Sequence, residues 1–334
     1  MKHLIVQGGM GVGISLSNLA GTVASYGGVG VIAAAQIGFN FDGFENNPLK
    51  ANLEALAHHI KRAKEISKGG VIGVNIMHAL ANYKEYVKCA IENKADYIIS
   101  GAGLPIDLPS LAANSAVKIA PIISSVKAAK VLLSFWAKKY NRTADMVIVE
   151  GPKAGGHLCF TNPEQETNYD TELKNILKEI SAFAERFGKI PTIFAGGVHD
   201  KADVEKYINI GCDGVQLGTR FVATFECDAH ENFKQNFINA KKEDVTIVKS
   251  PVGMPGRAIN NAFIKSPASK GEVPITKCYR CIKNCNPKEI PYCISQALIN
   301  SAKGQTNTGL VFCGDNVDRV KEITGVKQVL DELV

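Results

Sequence analysis

Met146-Val147-Ile148-Val149 runs without a polar residue into Glu150-Gly151-Pro152-Lys153-Ala154-Gly155-Gly156-His157. Three of the first four residues are β-branched. A strand with one wet face would alternate apolar and polar residues, so this run reads as a strand buried on both faces. The glycine-rich turn releases the chain from the strand. Ile176, Leu177, Ile180, Phe183 and Ala184 then recur at helical spacing. A buried strand, a glycine turn and a helix make one parallel β-α unit.

The same unit repeats in both directions. Upstream, His3–Val6 precedes Gln7-Gly8-Gly9-Met10-Gly11, and Val29–Ala33 precedes Ala34-Ala35-Gln36-Ile37-Gly38. Val71–Val74 precedes Asn75, Tyr97–Ile99 precedes Ser100-Gly101-Ala102-Gly103, and Ile119–Ile123 precedes Ser124 and Ser125. Downstream, Thr192–Phe194 leads to Ala195-Gly196-Gly197-Val198, and Gly214–Leu217 leads to Gly218-Thr219-Arg220-Phe221. Leu53, Leu56, Ala57 and Ile60 mark one intervening helix. Eight units, each with its helix, predict an α/β fold: a (β/α)8 TIM barrel, with an open doubly wound sheet as the competitor. The barrel is assigned to residues 1–225. Periodicity weakens after that, which predicts a small additional C-terminal domain or cap at 226–304. Residues 305–334 are expected to end in a helix over 317–334 that packs back on the barrel.

The bulk numbers agree. A chain of 334 residues, 46% of them hydrophobic, can bury a large core, and its net charge of +6 is scattered. No basic stripe of the kind that grips nucleic acid is present. Nine cysteines, an odd count, do not make a secreted disulfide framework, so a reducing cytoplasm is expected. Gly8, Gly9, Gly11 and Gly13 interrupt the apolar start too soon for a signal peptide, and no run is long enough to span a membrane.

In such barrels the site is built from the loops after the strands. Gly155 and Gly156, then Gly196 and Gly197, then Gly218 with Thr219 form glycine-rich turns after three consecutive strands. Backbone N–H groups without a Cβ in the way can hold a phosphate; alternatively these glycines only make tight turns. Gly28-Val29-Gly30 looks like part of a dinucleotide fingerprint, but it leads into a strand instead of leaving one. His157 ends its loop at the expected mouth, where an imidazole can move a proton or orient an anion. His58, His59, His199 and His230 are read as structural. Gly8, Gly9 and Met10 offer bare backbone and a soft thioether to a planar ring, and Asn75 offers a donor and an acceptor to its edge.

Taken together, IVQGGMG (5–11), GVNIM (73–77), VIVEGPKAGGH (147–157), IFAGGV (193–198) and GVQLGTRF (214–221) resemble the nitronate monooxygenase family, formerly 2-nitropropane dioxygenases, over about residues 4–260. Flavin-dependent enoyl-acyl-carrier-protein reductases of the second class are its relatives. The resemblance implies an FMN-dependent oxidoreductase without a permanently attached nicotinamide. It implies that Gly8, Gly9 and Met10 line the flavin ring and that Asn75 reaches its polar edge. Ser124 and Ser125 match positions after the fifth strand. Gly155, Gly156, Ala195, Gly196, Gly197, Gly218 and Thr219 match the phosphate turns, Glu150 and Gln216 match positions near the ribityl chain, and His157 matches the catalytic histidine. Family members usually carry a small residue soon after that histidine, often Gly at the second position, whereas here the run is His157-Leu158-Cys159-Phe160. Cys159 is expected to be buried and inert.

Two activities follow from the resemblance. In the first, alkyl nitronates are oxidised with O2. In the second, NAD(P)H reduces the flavin and an enoyl-acyl-carrier substrate is reduced; Lys270, Lys277, Arg280, Lys283 and Lys288 could then dock the carrier, although a solvated loop is the favoured reading of these residues. Both take a small-molecule substrate, and a homo-oligomer is compatible with either. A non-enzymatic flavin module would require an idle His157.

Cys278-x2-Cys281-x3-Cys285-x7-Cys293 is not explained by the barrel. Four such thiolates can chelate zinc or carry an iron–sulfur cluster, and the alternative is four reduced, unligated thiols; spacing does not choose among these.

Overall fold

The computed structural model describes residues 3–166 and 168–334. Eight parallel strands close a barrel: β1 (Leu4–Gln7), β2 (Val29–Ala33), β3 (Val71–Asn75), β4 (Tyr97–Ser100), β5 (Lys118–Ile123), β6 (Val147–Glu150), β8 (Thr192–Ala195) and β9 (Gly214–Leu217). Closure is decided by β9 pairing with β1, where Leu4 faces Gly214 and Gln7 faces Leu217. An open sheet would leave both of these edges free, so the competing architecture is excluded.

Alternation along each strand divides the core into two layers. Val6, Val31, Ile99, Ile148 and Ile193 fill the barrel interior. Their neighbours Ile5, Ile32, Ile98, Val149 and Phe194 join the larger cluster under the surrounding helices. A run apolar on both faces is what this packing requires. Gly30 belongs to the same logic: a Cβ there would sit 1.8 Å from the Ala20 carbonyl oxygen, on helix Ser17–Ser25. Close helix–strand packing accounts for it, and no nucleotide is needed.

The N-terminal rim is tied by aspartates. Asp96, Asp145 and Asp213 each precede a strand and accept the backbone N–H of Ile72, Ile119 and Thr192 at the start of the neighbouring strand, at 2.8, 2.8 and 3.0 Å. Charge-assisted bonds of this kind replace ladder partners that the strand ends lack. The opposite rim carries the glycine turns.

The strand β7 (Gly156–His157) lies inside the loop after β6. It pairs with β11 (Pro255–Ile259), which pairs in turn with β10 (Val245–Lys249), all antiparallel. This small sheet stitches the glycine loop to the segment beyond residue 226. That segment shares apolar clusters with the barrel: Phe233 and Phe237 enter the main cluster, and Tyr279 and Ile299 pack with Phe39 and Phe44.

Two helices differ from expectation. The helix Tyr169–Ser181 ends before Phe183 and Ala184; Phe183 falls at a break and Ala184 opens a short helix, Ala184–Phe187. The terminal helix is only Val326–Leu333, with Val326, Val329, Leu330 and Leu333 buried. Before it, Thr324 bonds the Ala223 carbonyl at 3.1 Å and the Val326 N–H bonds the Glu226 carboxylate at 3.0 Å. Tertiary hydrogen bonds therefore hold 320–325 extended where the apolar pattern suggested a continuous helix.

Candidate active site

The loops after the strands converge on a cleft of about 270 Å³ at the C-terminal mouth. Gly8, Gly9, Met10 and Asn75 line one side, and Gly155, Gly156, Ala195, Gly196, Gly197, Gly218 and Thr219 line another. Glu150, Gln216 and His157 complete the set. A wider depression near Asn232 and Gln305 has no titratable residue in its lining.

Close approach explains why bare backbone is needed. A Cβ on Gly9 would lie 2.3 Å from Asn75 Cβ and 3.1 Å from Val31 Cγ1, so only glycine lets β1 turn past the end of β3. Gly196 and Gly197 have φ of +108° and +79°, a region that side chains disfavour. Thr219 Oγ1 accepts the Gly314 N–H at 3.1 Å, which fastens the 313–314 segment to the turn after β9. Two polar atoms in the lining, Glu150 Oε1 and Asn316 Nδ2, are buried without a hydrogen-bond partner. Buried polar atoms seldom stay unpaired, so these two are free to take a polar partner in the cleft.

His157 is fixed by β7–β11 pairing, opposite Gly256. Its Nε2 lies 2.7 Å from Ser250 Oγ, and its ring packs edge-on to Phe312 at 5.0 Å. Burial pushes it down to about 4, so at neutral pH it is an uncharged imidazole able to accept a proton or donate an N–H. Burial likewise pushes Glu150 up to about 7, against the Cys159 backbone N–H and the nearby Arg257 charge, both of which favour the carboxylate. Glu150 is therefore poised between a proton-donating and an accepting form.

Ser124 does not join this cleft. It lines an adjoining cavity with Ser125, Phe160 and Tyr169, and its hydroxyl has no hydrogen-bond partner. The Ser124 carbonyl is taken by Tyr169 Oη at 2.9 Å, and Ser125 caps helix Val126–Tyr140 through Ala128 N at 3.2 Å. The turn after β5 thus bends toward its own helix. Cys159 is exposed, not buried as expected, and lines both cavities. Its thiol still stays protonated, because local desolvation and then the Glu150 charge push it up to about 11.

The residue that the sequence reading missed is Arg257. It is 3% exposed, and its guanidinium donates to the Pro152 carbonyl at 2.8 Å and to the Ala154 carbonyl. Asp315 stands 4.0 Å from its Nε. Arg257 therefore holds the glycine loop from inside. Ser250, which meets His157 Nε2, is a second positioning residue. Nothing local marks either residue, since each acts about a hundred positions away.

A family model described as nitronate monooxygenase matches residues 1–334. The chain belongs to the nitronate monooxygenase family. By that membership it is an enzyme of the flavin-dependent oxidoreductase type. Among curated relatives, a probable nitronate monooxygenase from Staphylococcus haemolyticus is 25% identical, the match covering 100% of this chain and 94% of the relative. Among solved structures, FabK from Thermotoga maritima superposes with a TM-score of 0.76 at 24% identity, covering 99% of this chain and 91% of that one. The nitroalkane oxidase from Streptomyces ansochromogenes gives 0.71 at 18% identity, covering 98% and 94%. Both structural likenesses support the barrel. No helix among the described residues is long and apolar enough to cross a membrane.

Proposed function

We propose that this family member binds FMN in the cleft and oxidises alkyl nitronates with O2 to a carbonyl compound and nitrite. One observation carries the reading. Three glycine turns, the Thr219 hydroxyl and the two unpaired polar atoms of Glu150 and Asn316 converge on one cleft, with an uncharged imidazole in its wall. A flavin's phosphate, ribityl hydroxyls and flat ring are the chemistry such a wall can meet.

In this reading the turns at 155–156, 196–197 and 218–219 hold the phosphate through backbone N–H groups. Glu150, Gln216 and Asn316 satisfy the polyol, and Gly8, Gly9 and Met10 give the ring a flat, soft seat. When bound, FMN supplies the electron sink for oxidation. His157, uncharged and steadied by Ser250, donates an N–H to the anionic substrate or accepts a proton from it. Phe312 and Met254 exclude water from that side of the cleft.

The test is anaerobic mixing of the flavin-loaded protein with a nitronate, with NADH and with NADPH, following the flavin absorbance. Bleaching by nitronate alone is expected. Rapid bleaching by a nicotinamide alone would replace this activity with an NAD(P)H-dependent reduction, including that of an enoyl-acyl-carrier substrate.

A further inference from the structure

Cys278, Cys281, Cys285 and Cys293 are free thiols, and among the described residues no three His, Cys, Asp or Glu side chains stand close enough to hold a metal ion. The structure therefore does not bring the four together as ligands. The space beside the cleft carries more. Ligand pockets run to about 300–1,000 Å³, so a cleft of about 270 Å³ that holds a flavin leaves little room for a substrate. The adjoining cavity measures about 450 Å³. Ala102, Ile122 and Cys159 line both spaces and mark where the two meet.

The cavity is enclosed by the turn after β4, the end of β5, the first turn of helix Val126–Tyr140, the chain after β7 and the start of helix Tyr169–Ser181. Leu104, Ile122, Ile123, Ala128, Phe160 and Tyr169 give it apolar walls. Most polar groups of those walls are engaged with one another. Tyr169 Oη donates to the Ser124 and Glu150 carbonyls at 2.9 and 3.0 Å, and the Glu172 carboxylate accepts the Val126 N–H at 2.9 Å. Phe160 packs edge-on to Tyr169 at 5.5 Å. These ties run between separate strands and helices, so the cavity is preformed.

One wall group is left over. Ser124 is 9% exposed, and its hydroxyl has no hydrogen-bond partner among the described residues. A buried hydroxyl without a partner is costly, and an oxygen on an occupant would relieve it. Charge narrows the occupant further. Glu166 and Glu172 line the cavity, and among the described residues no Lys or Arg lines it with them. An anionic chain would meet like charge there. An uncharged aliphatic chain suits the walls and avoids that repulsion.

We propose that this cavity is the tail pocket of the substrate, taking an uncharged aliphatic chain whose reactive end lies in the cleft with His157. Cys159 stands where head and tail meet, and the walls from Leu104 to Tyr169 bury the chain. The substrate class is then a nitronate on a chain of several carbons, in preference to the shortest ones. The reactive end rests on the nitronate reading above, whereas the tail pocket rests on the cavity itself.

Straight-chain 1-nitroalkanes of two to eight carbons, in their neutral form, are titrated by calorimetry into the full-length chain as purified. Affinity should rise about fourfold with each added methylene until the cavity is full. Ala128 lines the cavity and not the cleft, so Ala128→Phe should flatten that rise while flavin content is retained. Ser124→Ala acts in the opposite direction. It removes the hydroxyl that a plain chain leaves unpaired, and 1-nitrohexane should bind about fivefold more tightly or better. A damaged fold does not produce such a gain. Affinity independent of chain length, a rise that survives Ala128→Phe unchanged, or no gain in Ser124→Ala overturns the tail pocket. Calorimetry needs no turnover, so the two readings fail separately. Flavin that no nitronate of any length bleaches would remove the nitronate reading and leave the pocket standing.

Discussion

Gly155→Ala tests the proposed phosphate cradle most directly. A Cβ at this position would stand 2.5 Å from the carbonyl carbon and oxygen of Cys313 and 2.7 Å from the Gly314 nitrogen. These are backbone atoms, so no flexible side chain can yield. Carbon needs about 3.5 Å, so the glycine loop and the 313–314 segment must part by about 1 Å. Overpacking of this kind costs about 1–3 kcal/mol. The displaced segment also carries the Gly314 N–H that bonds Thr219, a contact worth about 1 kcal/mol. Stability should fall by about 2–4 kcal/mol, and FMN affinity by at least about tenfold, since 1.4 kcal/mol already gives that factor. Urea unfolding of the apoprotein reads the first quantity, and titration with FMN reads the second. Riboflavin, which lacks the phosphate, is the control and should lose less than about threefold. Gly156→Ala is a second control. It meets only Phe312, at 3.9 Å, and pays for its φ of +74° alone, about 1–2 kcal/mol. Unchanged FMN affinity in Gly155→Ala, or equal losses for FMN and riboflavin, would refute the cradle.

His157→Ala should keep its flavin and lose at least about a hundredfold in turnover; absorbance and steady-state rates report both, and loss of flavin would make the histidine structural. Glu150 is pushed above its ordinary value of 4.5 to about 7, so folded apoprotein retains a proton that the unfolded chain releases. Stability therefore falls as pH rises from about 4.5 to 7, and Glu150→Gln should flatten that slope, gaining on the order of 3 kcal/mol at pH 8 relative to pH 4 in urea titrations. His157, pushed below 6.5 to about 4, has the opposite sign: stability falls as pH drops through that window, and His157→Ala should remove that component. Arg257→Met leaves the Pro152 and Ala154 carbonyls without their donor; a loss of about 2–4 kcal/mol and weaker flavin retention are expected, read by thermal unfolding and flavin release.

Much of this molecule was legible before any coordinates. All eight barrel strands fall within a residue or two of their apolar runs, because burial on both faces leaves a local signature. The glycine turns and His157 were legible for a related reason: the backbone freedom of glycine is written in the residue itself. Ser124 lines the adjoining cavity because the direction of a turn depends on the helix it caps, here Val126–Tyr140. Cys159 was misjudged because the wall around it is assembled from other loops.

Local patterning by itself determined the β-α repeat and the glycine turns that line the cleft, since each depends on neighbours a few positions apart. Tertiary structure alone decided that β9 returns to β1, that Ser250 steadies His157 and that Arg257 holds the glycine loop. Those contacts join segments far apart in the chain. Their energy comes from packing and desolvation in the assembled fold, which a linear pattern does not record.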